Sequence, residues 1–170
     1  CLNRYIIYSY LLYANSMCYM TLLSTTADID LSLGNNDLVR FSRELPGIPE
    51  ETYLGFKNKW FIGSKSGCSC EFRHLYVKSV ELGFGLPEDW MPEEQSDIEA
   101  THQIIASIRS LVENGANVDC VDAWSQDQKV AAPLAGEVEV DLATVTNEAF
   151  RFFEMHKFVF SSTQHSQPPA

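Results

Sequence analysis

The chemistry that this sequence offers is concentrated in one short segment, Ser66-Gly-Cys-Ser-Cys-Glu-Phe-Arg-His74. Thiolates are soft ligands that bind zinc and copper(I). Cys68 and Cys70 are therefore candidate metal ligands, with His74 supplying a nitrogen and Cys18 arriving from a neighbouring strand. Zinc or copper is the cofactor that such a set would hold.

The spacing of the two cysteines limits this interpretation. Zinc knuckles commonly separate their cysteines by about two to four residues, because a tight turn must direct both sulfurs to one tetrahedral point. A single intervening residue in a strand sends Cys68 and Cys70 to the same face without that turn. A loop at residues 66 to 70 would remove the objection.

The same cysteines also suit redox or nucleophilic chemistry. A positive neighbourhood favours the reactive thiolate, and Lys65 and Arg73 flank the pair as supporting residues. His74 follows Cys70 by about 13 Å of extended strand, which is too far for a general base. The catalytic candidates are thus three thiols without an assigned base: Cys68, Cys70 and Cys18.

Cys18 has a separate route to reactivity. Met17 resembles a natural start, and removal of that residue would expose Cys18 as an N-terminal thiol with its own α-amine as base. A purely structural role for the cysteines is the remaining alternative, since an unreactive cysteine behaves as a small hydrophobe.

The chain boundaries follow from composition. We expect residues 1 to 16 to be an upstream extension outside the fold, although the apolar run after Arg4 also resembles an export leader. Residues 17 to 160 are predicted to form a single α+β domain, and residues 161 to 170, rich in Gln and Pro, a disordered tail. The single residue between Cys68 and Cys70 suits a strained redox bond or a shared metal better than a structural disulfide, and we expect a cytoplasmic protein.

Charge restricts the partners. The formal net charge is −11, which argues against binding of nucleic acid and of anionic membranes. Residues 37 to 78 have a balance of +2, whereas residues 81 to 154 have a balance of −13. A basic protein is therefore the partner that the second half would attract. A non-catalytic acidic interaction module is the alternative function to a thiol site, and oligomeric state is left undetermined.

The elements that must position the cysteines follow from hydrophobic periodicity. Strands are predicted at 18–24, 59–63, 70–77, 118–124, 138–142 and 157–160, and helices at about 37–45, 97–114 and 147–155. This order favours a mixed sheet with two or three helices packed mainly on one face, in a ferredoxin-like arrangement.

Overall fold

The computed structural model describes residues 18–75, 93–124 and 129–162. The predicted extension at residues 1 to 16 lies outside the described residues, as does most of the predicted tail. Within the described ranges, no helix is both long enough and apolar enough to cross a lipid bilayer.

The described residues form a six-stranded mixed sheet, a two-stranded sheet and one long α-helix. The elements, in chain order, are β1 (Tyr19–Thr25), β2 (Arg40–Ser42), β3 (Asn58–Gly63), β4 (His74–Leu75), α1 (Gln95–Glu113), β5 (Val118–Trp124), β6 (Gly136–Asp141), β7 (Phe152–Phe153) and β8 (His156–Ser161). Two 3₁₀ helices, Leu31–Gly34 and Pro49–Tyr53, connect β1, β2 and β3.

The strand order across the sheet is β2-β3-β1-β5-β8-β6. All neighbouring pairs are antiparallel except β6 and β8, which are parallel. Strands β4 and β7 form a separate two-stranded parallel sheet. The centre of the large sheet is therefore the β1–β5 pair, which aligns Tyr19 with Trp124 and Thr25 with Val118.

The two faces of the sheet are both covered. Leu23 and Cys120 belong to the main core, into which α1 directs Ile104 and Ile108, one helical turn apart. Leu22, Val121 and Ala123 pack on the other face with Leu54. Successive side chains of a strand point to opposite faces of the sheet. Since both faces are covered here, β1 and β5 are buried along almost their whole length.

The predicted α+β class is confirmed at the level of a mixed sheet with a helix, and the strands predicted at 18–24, 59–63, 118–124, 138–142 and 157–160 are confirmed to within two residues. The helix predicted at 97–114 is also confirmed, and Gly115 follows it with a left-handed φ of 83°.

The helix predicted at about 37–45 is wrong, since β2 occupies this segment at an edge of the sheet. The Asn36 side chain accepts hydrogen bonds from the N–H groups of Leu38 and Val39, and Asn35 accepts one from Phe41. These asparagines therefore form local turns instead of capping a helix.

The helix predicted at 147–155 is also wrong. A turn at 147–149 leads into β7, and Phe150 and Phe152 are both buried among the core aromatics. Their spacing of two residues is that of an extended chain. The described residues thus contain one α-helix, and neither the second and third helices nor a ferredoxin-like arrangement is confirmed.

Candidate metal centre

A tight turn after β3 brings the Cys-x-Cys segment back over the start of β1. The N–H of Ser64 donates to the carbonyl oxygen of Cys68 at 2.7 Å, and the N–H of Gly67 donates to that of Ser64 at 3.1 Å. Gly67 has a φ of 89°, a left-handed conformation that favours glycine. Residues 65 to 71 are turns and bends, so the strand predicted at 70–77 is present among the described residues only as β4. The loop that a metal site requires at 66–70 is thereby present.

Ser69 fixes the orientation of this loop. Its hydroxyl donates to the carbonyl oxygen of Ile62 at 2.6 Å and accepts from the N–H of Thr21 at 2.7 Å. Its own N–H donates to the carbonyl oxygen of Tyr19 at 2.9 Å. Ser69 is fully buried, whereas Cys68 is half-buried and Cys70 is exposed. The serine therefore anchors the loop and leaves the two flanking thiols toward the surface.

Three thiols meet where the loop crosses β1. Cys18 immediately precedes β1, and the Sγ atoms of Cys18, Cys68 and Cys70 all lie within 4.8 Å of one another. Tetrahedral zinc with Zn–S bonds of about 2.3 Å separates its sulfurs by roughly 3.8 Å. Small side-chain rotations would bring the three sulfurs to that separation, so the trio fits a soft metal ion.

Hydrogen bonds distinguish the thiols of Cys68 and Cys70. Partial burial acts to raise the pKa of the Cys68 thiol, but donation from Ser66 Oγ, from the Cys70 N–H and from the thiols of Cys70 and Cys18 lowers it overall. The Cys68 Sγ atom lies 3.5 Å from Ser66 Oγ and 3.4 Å from the Cys70 nitrogen. Burial, followed by the neighbouring Cys68 sulfur, raises the pKa of Cys70 to about 12. Of these two thiols, Cys68 is thus the one that more readily carries negative charge.

His74 lies beneath the loop and belongs to a different network. Its Nδ1 is 2.9 Å from an Asp122 carboxylate oxygen and its Nε2 is 2.7 Å from the carbonyl oxygen of Ser69. Burial acts to lower the pKa of His74, but Asp122 and the Ser69 carbonyl raise it overall. Both partners are acceptors, so the arrangement suits a doubly protonated imidazolium. With both nitrogens engaged, His74 is not a fourth ligand of the thiol trio in this geometry.

The residues around His74 complete a buried polar layer below the thiols. Asp122 also accepts from the hydroxyl of Thr21 at 3.0 Å. The Tyr19 ring stacks on the His74 ring with centroids 4.0 Å apart, and the Tyr19 hydroxyl donates to Glu154. The Tyr19 N–H donates to Cys70 Sγ at 3.4 Å. The start of β1 therefore contacts both the thiols and the layer that supports them.

The two predicted supporting cations lie in different environments. Lys65 is exposed in the turn, three residues before Cys68. Arg73 is buried, and its guanidinium donates twice to Glu93, at 2.7 Å each, as well as to the carbonyl oxygen of Glu148. The lowered pKa of Cys68 arises from hydrogen bonds instead of from either cation. Arg73 thus ties the loop to the segment before β7.

Sequence reasoning missed Ser69, Thr21, Tyr19 and Asp122 as members of the site. Asp122 carried a detectable signal, because an acid inside the apolar strand Val118–Trp124 must find a buried partner. Ser69 carried none beyond its place between two cysteines. Among residues 18–75, 93–124 and 129–162, the three thiols are the one set of three or more His, Cys, Asp or Glu side chains close enough to share a metal.

Comparisons of this chain with protein-family models, with curated protein sequences and with solved structures find no match.

Proposed function

We propose that this protein binds a soft metal ion, zinc or copper(I), through Cys18, Cys68 and Cys70. The observation that carries the proposal is the convergence of three sulfur atoms within 4.8 Å from two segments that are 50 residues apart in sequence. All three are free thiols, which is the form that a metal binds after deprotonation. The hydrogen bonds of Ser69 hold the loop that carries Cys68 and Cys70 in this position without a bound metal.

The donor set and its exposure decide which ions fit. Thiolates select zinc and copper(I) over magnesium or calcium, which prefer oxygen ligands. Three sulfurs complete a trigonal copper(I) site, whereas zinc would accept a fourth ligand from solvent because Cys70 is exposed. The hydrogen bonds to Cys68 Sγ favour the anionic form that either ion needs.

Metal titration of the full-length reduced chain tests the proposal. We expect one equivalent of zinc or copper(I) in competition with a chromophoric chelator, and an affinity at least about 100-fold lower in Cys68→Ser and Cys70→Ser. Cys1→Ser supplies a matched control, because it makes the same chemical change outside the trio. Equal affinity in all four proteins would reject the site.

The localisation that accompanies this function is the cytoplasm. A three-thiol site requires reduced cysteines, and the cytosolic thiol pool maintains them. The described residues contain four free cysteines, which is the redox state that the site requires. Metal content measured on protein isolated under anaerobic and under oxidising conditions tests it, because only the reduced preparation should retain the ion.

A second candidate function is capture of a basic protein by the acidic half of the chain. It is favoured by the position of β6 at an edge of the sheet with Glu137 and Glu139 exposed. Binding of a lysine-rich polypeptide should weaken steeply between 50 and 300 mM salt, as roughly expected for exposed charges. The matched variant is Glu137→Gln with Glu139→Gln, and salt-independent binding that this variant leaves unchanged would reject it.

A further inference from the structure

We propose that the metal site is controlled by oxidation: a hydroperoxide oxidises Cys68, and Cys18 then closes a Cys18–Cys68 disulfide that expels the metal. This inference rests on the proposed metal-binding function for its consequence, although the disulfide itself forms without metal. It assigns three different roles to the three sulfurs. Cys68 is attacked, Cys18 resolves, and Cys70 is left as a single thiol.

Cys68 is the sulfur that the surroundings prepare for oxidation. Its Sγ accepts the Cys70 N–H at 3.4 Å and lies 3.5 Å from the Ser66 hydroxyl, and both other sulfurs are within 4.8 Å of it. Such donors stabilise a thiolate, which is the form that attacks peroxides. The side chain is half-buried and so remains within reach of a small oxidant.

Cys18 is a better resolving thiol than Cys70. The Cys70 sulfur already accepts the Tyr19 N–H at 3.4 Å, which holds it against the start of β1. A disulfide between residues 68 and 70 would also close a strained ring across one intervening residue. Cys18, in contrast, lies on the segment to which the loop is already bonded, through Ser69 N–H and the Tyr19 carbonyl. Side-chain rotation can therefore join Cys18 and Cys68 with little movement of the backbone.

The chemistry balances with a hydroperoxide as the only oxidant. The Cys68 thiolate attacks the terminal oxygen of the hydroperoxide, so that an S–O bond forms and the O–O bond breaks. The alkoxide or hydroxide that leaves takes one proton from solvent, and Cys68 becomes a sulfenic acid. The Cys18 sulfur then attacks the Cys68 sulfur, the S–S bond forms, and the hydroxide leaves as water with the Cys18 proton. The protein loses two electrons in total, and the peroxide gains them.

Metal release follows from ligand loss. The disulfide removes two of the three sulfur donors, and one remaining thiolate cannot hold zinc against solvent. Reduction of the disulfide by a dithiol returns both ligands, so the cycle is reversible. The site would then report the peroxide level through the availability of its metal.

The first test uses metal-free full-length protein in a Cys1→Ser background. After one equivalent of hydrogen peroxide, peptide mapping should find a Cys18–Cys68 disulfide. Cys70→Ser should retain that bond, and Cys18→Ser should instead accumulate a sulfenic acid on Cys68 that a 1,3-diketone traps. Cys18→Ala provides a second version of this variant, and circular dichroism confirms the fold of each. A Cys68–Cys70 bond, or no oxidation of Cys68 in folded protein, would overturn the inference.

The second test uses the same protein loaded with zinc, which is itself redox-inert. Peroxide should release about one equivalent of zinc to a chromophoric chelator at the rate of disulfide formation, and dithiothreitol should restore binding. Zinc that stays bound after the disulfide has formed would overturn the regulatory step. A protein that never takes up zinc, yet forms the disulfide, would reject the proposed function while leaving the assignment of sulfur roles intact.

Discussion

Replacement of Ser69 by alanine is the change that most directly tests how this fold builds its site. The Ser69 hydroxyl bridges two residues that are register partners in the sheet, donating to the Ile62 carbonyl and accepting from the Thr21 N–H. Alanine removes both bonds at a position with no solvent exposure. The two backbone groups would be left buried without this partner.

The magnitude follows from those two groups. A buried backbone group that loses its hydrogen-bond partner costs about 1–3 kcal/mol, and two of them give roughly 2–6 kcal/mol. For a chain of 170 residues, a loss of about 3 kcal/mol corresponds to a fall of roughly 6–12 °C in Tm. The loop that carries Cys68 and Cys70 would loosen at the same time, so metal affinity should also fall.

Urea denaturation of metal-free protein measures the stability change, and chelator competition measures the change in metal affinity. Ser66→Ala is the matched control for stability alone, because Ser66 is exposed in the same loop and its removal should change the free energy of unfolding by less than about 0.5 kcal/mol. It is not a control for metal affinity, since its Oγ contacts Cys68 Sγ. A loss below about 1 kcal/mol in Ser69→Ala, with an unchanged m-value, would show that the two hydrogen bonds of the Ser69 hydroxyl do not stabilise the fold. It would mean that β1 and β3 close directly over the missing hydroxyl.

Three further predictions concern the surrounding structure. His74→Gln should cost about 3 kcal/mol because it leaves Asp122 without its cation. The pKa of His74 is raised on folding, so the stabilisation that its charge provides is complete below about pH 6.5 and is lost as pH rises through the folded pKa. The difference in unfolding free energy between wild type and His74→Gln should therefore shrink from pH 6 to pH 9. A constant difference would contradict a charged His74–Asp122 pair. Gly67→Ala should cost about 1 kcal/mol in chemical denaturation through its left-handed φ, whereas Gly34→Ala, at an open position with an ordinary φ, should be neutral; equal effects would remove the argument from backbone conformation. Cys120, buried with a raised pKa, should resist iodoacetamide until the chain unfolds, and rapid labelling of native protein would show that the core around β5 opens.

Periodicity predicted most of the sheet and the long helix because those elements are amphipathic or wholly apolar. Helix α1 is a clear example, since its buried residues repeat at intervals of about 3.6, whereas β5 is a short segment buried along almost its whole length. The failures are short elements. Phe41 and Phe152 lie in strands of three and two residues. Strands this short are stabilised by contacts with distant strands and show no local sequence pattern.

The site divides in the same way. Its reactive residue types were visible in sequence, because Cys68 and Cys70 stand together in a segment rich in glycine and serine. The position of Cys18 beside them was an expectation that depended on how β1 and β3 pair. Sequence could not show that the fold places Asp122 and the Ser69 carbonyl at the two ring nitrogens of His74, away from the three sulfurs.

The sequence therefore indicates which side chains are candidate ligands for a soft metal and where the long strands and the long helix lie. The tertiary structure brings the three sulfurs together and directs hydrogen bonds to Cys68 Sγ. It also places His74 between Asp122 and the Ser69 carbonyl. Sequence patterns such as periodicity and turn chemistry act over a few neighbouring residues. Cys18, Ser69 and Asp122, in contrast, meet only after β1 has paired with β3 and β5.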